Sequence, residues 1–445
     1  MAGFGAAHRL YTEGTSSVMY EKNSYYGGHT ASYVSDGRFV FDDGPHVSFT
    51  KVDRIQKLFA QNVVGDYQTI QACVNNYWRG HWIKHPAQCN LHGLPRDLVI
   101  DILCEMIDIS NRPHGTAKTY ADWLLDTYGR TFSETFPMQY GRKYHTTEAA
   151  NMTTDWLGPR LYVPELREVI AGAMYETTPE VHYVSHFRYP TNGGFVSYLH
   201  PFVSQTDLNV DHKLVSVDPK ARSVKFANGV ETLYSALISS VPLPELVPLI
   251  KGVPDNVLQA SRRLACTSCV MVNIVVDRAD LSEAHWSYFY DDDFFFTRLA
   301  FPHMQSPRNV PAGAGSIQAE VYYSRKYRPL DRSPESCIEP VVTDLRRCGL
   351  IRDDDTILFS NATVSRYANV IFDLDRPEAV AIVHQYLDEI GILYCGRYGE
   401  WGYHWTDQAF MSGENAAQKV LDRHGYRAHS TAVHTVFGRT EGAES

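Results

Sequence analysis

The sequence predicts an α/β chain in which a dinucleotide-binding unit of strands and helices is interrupted by inserted segments. Three observations predict it. The opening run Met1-Ala2-Gly3-Phe4-Gly5-Ala6-Ala7-His8-Arg9-Leu10 reads as the back half of a Gly-x-Gly-x-x-Gly turn entering its helix, with Gly3 at the third glycine position. A short apolar strand, Ser17-Val18-Met19-Tyr20, then ends in Glu21, about where such a fold places the carboxylate that holds an adenosine ribose. Far downstream, Ala236-Leu237-Ile238-Ser239-Ser240-Val241 before Pro242 is an apolar run with small residues, as a buried parallel strand would be.

Each element has its own physical reason. In such a turn the first two glycines let backbone N–H groups approach a pyrophosphate, and the third lets the helix pack on the strand. The strand and two glycines that would precede Gly3 are absent, and a late-assigned gene start or a truncation is the expected explanation. Loss of those donors would weaken cofactor binding. Glu21 could accept two ribose hydroxyls, the alternative being a solvated strand-end acid. Tyr25-Tyr26-Gly27-Gly28-His29-Thr30 would pass the chain close to the ligand, the alternative being a plain turn.

Helical segments are expected from Lys51 to about Tyr175, followed by a loop over Phe187 to Gly194 and a helix-like stretch. Strands are expected over Asp211 to Asp218, Ser223 to Phe226 and Ser235 to Val241. A β-rich region runs from Cys266 to about Val321, and a helix-rich one from Arg376 to Ile392. The cluster Trp286, Tyr288, Phe289, Tyr290, Phe294, Phe295 and Phe296 reads as core and pocket wall, and Asp291, Asp292 and Asp293 as a solvated hairpin turn. Residues after about Ser430 are polar enough to fray.

A chain of 445 residues suggests two or three domains. Hydrophobic content of 44% with 21% charged residues describes a globular protein. The formal net charge of −10 argues against nucleic acid or an anionic membrane as partner. No apolar run reaches the roughly 18 residues a spanning helix needs, and no signal segment opens the chain, so a cytoplasmic location is expected. Of the eight cysteines, Cys266 and Cys269 have CxxC spacing but lead into a strand, and read as buried thiols. The 19 histidines include no paired ligand spacing, so no metal is expected.

Four separated signatures occur together: Glu21 with Gly27-Gly28-His29-Thr30; Phe41-Asp42-Asp43-Gly44-Pro45-His46; Leu237-Ile238-Ser239-Ser240-Val241-Pro242; and Gly396-Arg397-Tyr398-Gly399-Glu400-Trp401 with Asp407-Gln408-Ala409-Phe410 and Gly413. Their order resembles that of FAD-dependent amine-oxidase-like flavoproteins, a superfamily including monoamine oxidases, protoporphyrinogen oxidase and UDP-galactopyranose mutase. The resemblance covers nearly the whole chain. It implies a Rossmann-like FAD-binding domain with an inserted mixed α+β substrate domain. FAD-binding segments would be 1–75, 196–265 and 386–430, substrate-domain segments 76–195 (helical) and 266–385 (β-rich), and the flexible tail 431–445. Cofactor contacts implied are Gly3, Glu21, Lys22, Gly27, Gly28, His29, Thr30, Gly44, Pro45, His46, Leu214, Gly396, Arg397, Asp407, Gln408 and Phe410. Arg397 would neutralise phosphates, and the helix starting near Asp407 would aim its positive end at the flavin, with simple capping by Asp407 as the alternative.

The middle of the chain is most similar to the UDP-galactopyranose mutase branch, through Tyr140-Gly141-Arg142-Lys143-Tyr144, Trp156-Leu157-Gly158-Pro159-Arg160, Phe187-Arg188-Tyr189-Pro190 with Gly193-Gly194, and Phe296-Thr297-Arg298-Leu299. That likeness implies catalytic roles for His46, Arg188 and Arg298, and substrate contacts from Trp156, Arg160, Arg188, Arg298 and Tyr403. Two guanidinium forks would suit a diphosphate. Gly44-Pro45-His46 replaces the usual Gly-Gly-His, and Gly402 stands where a large residue is usual. Three readings follow: a flavin oxidoreductase centred on N5, a redox-neutral mutase working on a sugar nucleotide with reduced FAD, and an inactive FAD-binding homologue. The expected partners are a small-molecule substrate, with a nucleotide sugar and NAD(P)H as reductant as candidates.

Overall fold

The computed structural model describes residues 1–112, 115–179, 181 and 184–424. The expected frayed tail, 431–445, lies outside them. Two parallel strand pairs carry the nucleotide-binding part: Val18–Tyr20 with Asp207–Asn209, and Ile238–Ser239 with Leu393–Tyr394. Segments far apart in sequence thus build one unit. Among the described residues no strand joins the two pairs. A strand with a hydrogen-bonded neighbour on one edge only is short and incompletely covered, and the expected strand over Ser235 to Val241 accordingly contracts to Ile238–Ser239, with Ile238 half-buried.

Helix Ala2–Thr12 lies against the last described helix, Thr406–His424. A Cβ on Gly5 would collide with the Phe410 carbonyl, and one on Gly413 with the Ala2 carbonyl, so the two backbones touch. Gly3 instead faces Met19, where a Cβ would meet Cε at an ordinary 3.4 Å. Further along, Ala6 and Leu10 pack on Ala417 and Leu421, so the helices run roughly side by side.

A mixed seven-stranded sheet forms the second layer, in the order Ile357–Ser365, Thr267–Val276, Gly315–Ser324, Arg298–Ala300, Trp286–Phe289, Val74–Trp78, His81–Lys84. Only the Trp286–Phe289 and Val74–Trp78 pair is parallel. Gly315–Ser324 is buried at every position, as a central strand covered on both faces must be. Register sets a row across this sheet: Met271 opposite Glu320, Glu320 opposite Arg298, and Arg298 opposite Tyr288. Residues opposite one another share a face, so these four side chains stand together.

Three expectations change. The stretch from Lys51 to Tyr175 is not helical throughout, because Tyr67–Gln71, Val74–Trp78 and His81–Lys84 are strands. Their aromatic and β-branched residues favour strands, and Arg79 and Gly80, at φ of 44° and 84°, make the two-residue hairpin turn between the last two. The expected loop at Phe187 begins instead as the strand His186–Pro190, paired antiparallel with Tyr67–Gln71. Asp291 is buried and accepts the Arg79 N–H at 2.9 Å, whereas Asp292 and Asp293 are exposed and pair with Arg142 and Arg347. Among the described residues no helix is long and apolar enough to cross a membrane.

Candidate active site

A cavity of about 350 Å³ lies between the nucleotide-binding part and one face of the seven-stranded sheet. On the first side it is lined by Met1, Ala2, Gly27, Gly28 and Gly396. Gly27 has φ of +111° and Gly396 +74°, conformations that L side chains rarely adopt. A Cβ on Gly396 would also press within 2.7 Å of the Ala2 side chain. Trp405, Thr406 and Ala409, at the N-terminus of helix Thr406–His424, close the same cavity.

The loop Asp43-Gly44-Pro45-His46 crosses its middle. Asp42 anchors that loop from beneath, accepting hydrogen bonds from the Ser32 and Tyr189 hydroxyls and from the Phe195 N–H at 3.1 Å. Burial nevertheless pushes the Asp42 carboxyl up to about 6, against those hydrogen bonds, and the neighbouring Asp43 charge adds to the push. His46 shares a 2.9 Å hydrogen bond between Nδ1 and the Gly44 carbonyl, which fixes the N–H on Nδ1. Burial lowers its pKa to about 4, so the ring is neutral at physiological pH. His29 pairs with Asp43 at 2.7 Å, and the Ser365 hydroxyl meets the same two groups.

The sign of the Asp42 effect can be tested. A carboxyl whose folded pKa lies above its unfolded value near 3.8 binds protons more readily in the folded chain, so stability falls as pH rises through that interval. The depressed His46 works the other way between its ordinary value of 6.5 and about 4. The comparison with Asp42→Asn isolates the acid: between pH 7 and pH 5 the wild type is expected to gain about 1 kcal/mol relative to the variant in urea unfolding. An unchanged difference across that range would contradict a protonated Asp42.

On the sheet side, Arg298 donates through Nε and one terminal nitrogen to both oxygens of Glu320, whose side chain is 4% exposed. The Tyr322 hydroxyl donates to Glu320 Oε2 at 2.8 Å. Tyr144 and Tyr403 share a 2.9 Å hydroxyl contact, and burial drives the Tyr144 pKa far upward. Trp286 and Tyr288 complete this wall. Arg397 spends its N–H groups on the His404 and Ala368 carbonyls and the Asn369 amide oxygen, between 2.7 and 3.1 Å. Among the described residues no carboxylate forms an ion pair with it.

Residues 161–421, more than half of the chain, match the family of flavin-containing amine oxidoreductases. The chain belongs to that family. Residues 1–61 match the NAD(P)-binding Rossmann-like domain. Its fold is shared with a reduced UDP-galactopyranose mutase, at a TM-score of 0.88 and 24% identity over 95% of this chain and 94% of the other. A putative protoporphyrinogen oxidase from Exiguobacterium sp. 255-15 gives 0.73 at 14% identity, covering 95% and 97%. Cyclohexylamine oxidase from Brevibacterium oxydans IH-35A gives 0.67 at 12%, covering 96% and 97%.

The family is flavin-containing and its cofactor is FAD. The residues of this chain fit that group. Gly27 and Gly396 hold tight positive-φ turns beside the cavity, where a Cβ would crowd Ala31 and Ala2. Arg397 is a half-buried, cavity-lining cation bonded to neutral oxygens, so an anionic ligand would supply its counter-charge.

Of the residues singled out in the sequence, the cavity gathers Gly27, Gly28, His29, Thr30, Gly44, Pro45, His46, Arg298, Gly396, Arg397 and Tyr403. Others stand apart from its lining. Gly3 packs on Met19. Glu21 accepts the Asn23 N–H, though its charge still acts on the amine of cavity-lining Met1. Lys22 is exposed and 4.0 Å from Glu245. Leu214 belongs to a separate three-stranded sheet, and Phe410 is core. Asp407 is half-buried in the first turn of its helix, and the Gln408 side chain caps that helix by accepting the Trp405 N–H.

Three residues expected at the substrate are not among those lining the cavity. Trp156 is core: its indole N–H bonds the Thr153 carbonyl, and Tyr120 and His145 pack on the ring. Arg188 is half-buried on the strand His186–Pro190, between buried Phe187 and Tyr189, with one terminal nitrogen buried and unpartnered among the described residues. Arg160 places its guanidinium over the cavity-lining Tyr403 and Trp405 rings at 4.4 and 4.6 Å and donates to the Tyr403 carbonyl. Sequence reasoning missed Tyr144, Cys269, Met271, Gln305, Glu320, Tyr322 and His404, all of which line the cavity.

Proposed function

We propose that this protein is an FAD-dependent enzyme of the UDP-galactopyranose mutase type, isomerising a sugar nucleotide in a redox-neutral reaction with reduced cofactor. The observation that carries this reading is the polar character of the cavity lining: Tyr144, Tyr288, Tyr322 and Tyr403 and the Arg298 guanidinium line a single cavity. Such a lining suits a hydroxylated ring better than an alkylamine. The extent of the structural likeness to UDP-galactopyranose mutase supports the same choice.

Reduced FAD supplies a nucleophilic nitrogen, and oxidised FAD a hydride acceptor. The chain's own contributions are positional and electrostatic. Arg397 and the N-terminus of helix Thr406–His424 offer fixed positive charge at one end. Neutral His46 is held at the cavity's middle by Gly44 without adding charge. Tyr144 and Tyr403 hold each other's hydroxyls, orienting both toward a bound polar group. The buried aromatic surroundings exclude water.

One observation favours a second reading, oxidation of a substrate without a diphosphate. Arg298 is engaged at two nitrogens by Glu320, and Arg188 does not line the cavity, so the expected pair of forks is not assembled. Purified FAD-loaded protein distinguishes the readings. Anaerobic protein reduced with dithionite, with NAD(P)H as the second reductant tried, is expected to interconvert UDP-galactopyranose and UDP-galactofuranose, and oxidised protein is not. Bleaching of the oxidised flavin by cyclohexylamine, without isomerisation by the reduced form, would replace this reading with the oxidase one. A protein that takes up no FAD would favour the inactive homologue.

A further inference from the structure

Two buried polar atoms at the cavity wall, His404 Nδ1 and Gln305 Nε2, lack a hydrogen-bond partner among the described residues. The His404 ring already meets Glu400 through Nε2, whereas the Gln305 amide is used by nothing in the scheme above. Gln305 ends the short helix Pro302–Gln305, directly after the strand that carries Arg298. It is 2% exposed and lines the cavity. Its amide Nε2 is buried with no hydrogen-bond partner among the described residues. Neighbours in the same segment are satisfied: both His303 ring nitrogens are engaged, by the Ser316 backbone and the Ala279 carbonyl, and the Ser306 hydroxyl donates to the Thr191 carbonyl at 2.6 Å. A buried donor without an acceptor costs stability, and such a group at a cavity wall points to a ligand that completes it.

The chemistry of the group narrows the ligand. A primary amide is uncharged and offers a donor and an acceptor side by side, which matches a hydroxyl better than a phosphate or an ammonium. Position narrows it further. Gln305 is carried by the sheet layer, with Arg298, Glu320 and Trp286, whereas Arg397, Gly396 and the helix N-terminus at Thr406 form the other side. The adjoining charged pair, Arg298 with Glu320, is internally neutralised, so this wall suits a neutral polar group.

We propose that the Gln305 amide receives a ring hydroxyl of the substrate's sugar, and so selects a hydroxylated ring at this end of the cavity. The proposal rests on the sugar-nucleotide reading given above. Gln305→Met keeps the length and shape of the side chain while removing both polar ends, and Gln305→Leu is a second apolar replacement. The FAD-loaded wild type and both variants would be titrated with UDP-galactose and with UDP, following the flavin spectrum, and melted without ligand.

Affinity for UDP-galactose is expected to fall about tenfold in the variants, with UDP affinity unchanged because UDP lacks the sugar. Melting temperature without ligand is expected to hold or rise, since an unsatisfied buried amide has been removed. FAD affinity and the flavin spectrum should not move. Equal weakening of both ligands, weaker FAD binding, or a lowered melting temperature with unchanged sugar affinity would each overturn the assignment. A wild type that binds neither UDP-galactose nor UDP would sink the sugar-nucleotide reading instead. In that case the melts still decide whether the amide is free: a rise in both variants sustains an unpartnered Gln305, and a fall refutes it.

Discussion

Arg397→Met is expected to yield protein nearly free of flavin, with FAD affinity about a hundredfold weaker than in the wild type. The guanidinium is half-buried at the cavity, bonded to three neutral oxygens and without an ion-pair partner among the described residues, so its charge is available to an anionic ligand. Hydrogen bonds to charged groups contribute about 1.5–3 kcal/mol each, and a hundredfold change corresponds to about 2.7 kcal/mol. Arg397→Lys keeps the charge but loses the planar fork that reaches the His404 and Ala368 carbonyls together, so it should fall between the two. Flavin absorbance per protein, followed by titration of stripped protein with FAD, reads both. Full flavin occupancy in Arg397→Met would place the cofactor's negative charge elsewhere.

Glu320→Gln is expected to pull two properties in opposite directions. Breaking a buried ion pair by removing one partner costs about 3–5 kcal/mol, because the other charge is left uncompensated. The low end applies here, since the Arg298 side chain retains 22% exposure toward the cavity. The freed guanidinium fork would then attract anions, and pyrophosphate affinity should rise about tenfold while urea stability falls. A stability loss without stronger anion binding would mean that Arg298 turns away from the cavity once released. No change in either would mean that the pair contributes little.

The two parts of the site differ in how openly the sequence displays them. Gly27-Gly28, Gly44-Pro45-His46 and Gly396-Arg397 could be read directly, because a backbone that must adopt positive φ beside a ligand calls for glycine at fixed local spacing. Glu320, Tyr322, Tyr144 and Gln305 could not, because strand register and layer packing bring them to the cavity, and a slip of one residue would turn Glu320 to the other face. Arg188 shows the same dependence: its flanking residues fit the resemblance, but the packing of the strand His186–Pro190, not the local motif, sets what it meets. Trp156 misled for a different reason, since its indole N–H is satisfied three residues back by Thr153 and the ring has no need of a ligand.

The backbone-to-backbone seam at Gly5 and Gly413 also works as a ruler. Ala2 lies beside Gly413, seven residues into a helix whose own N-terminus is at Thr406, so the two positive helix ends are staggered by roughly 10 Å along nearly the same direction. Met1 and Ala2 line the cavity at one mark, Thr406 and Ala409 at the other. No side chain lies between the helices at the seam to act as a compressible spacer, so neither mark can slide without breaking the contact. A flavin ring and its phosphates would thus meet two positive poles at a separation fixed by backbone contact and by no adjustable side chain.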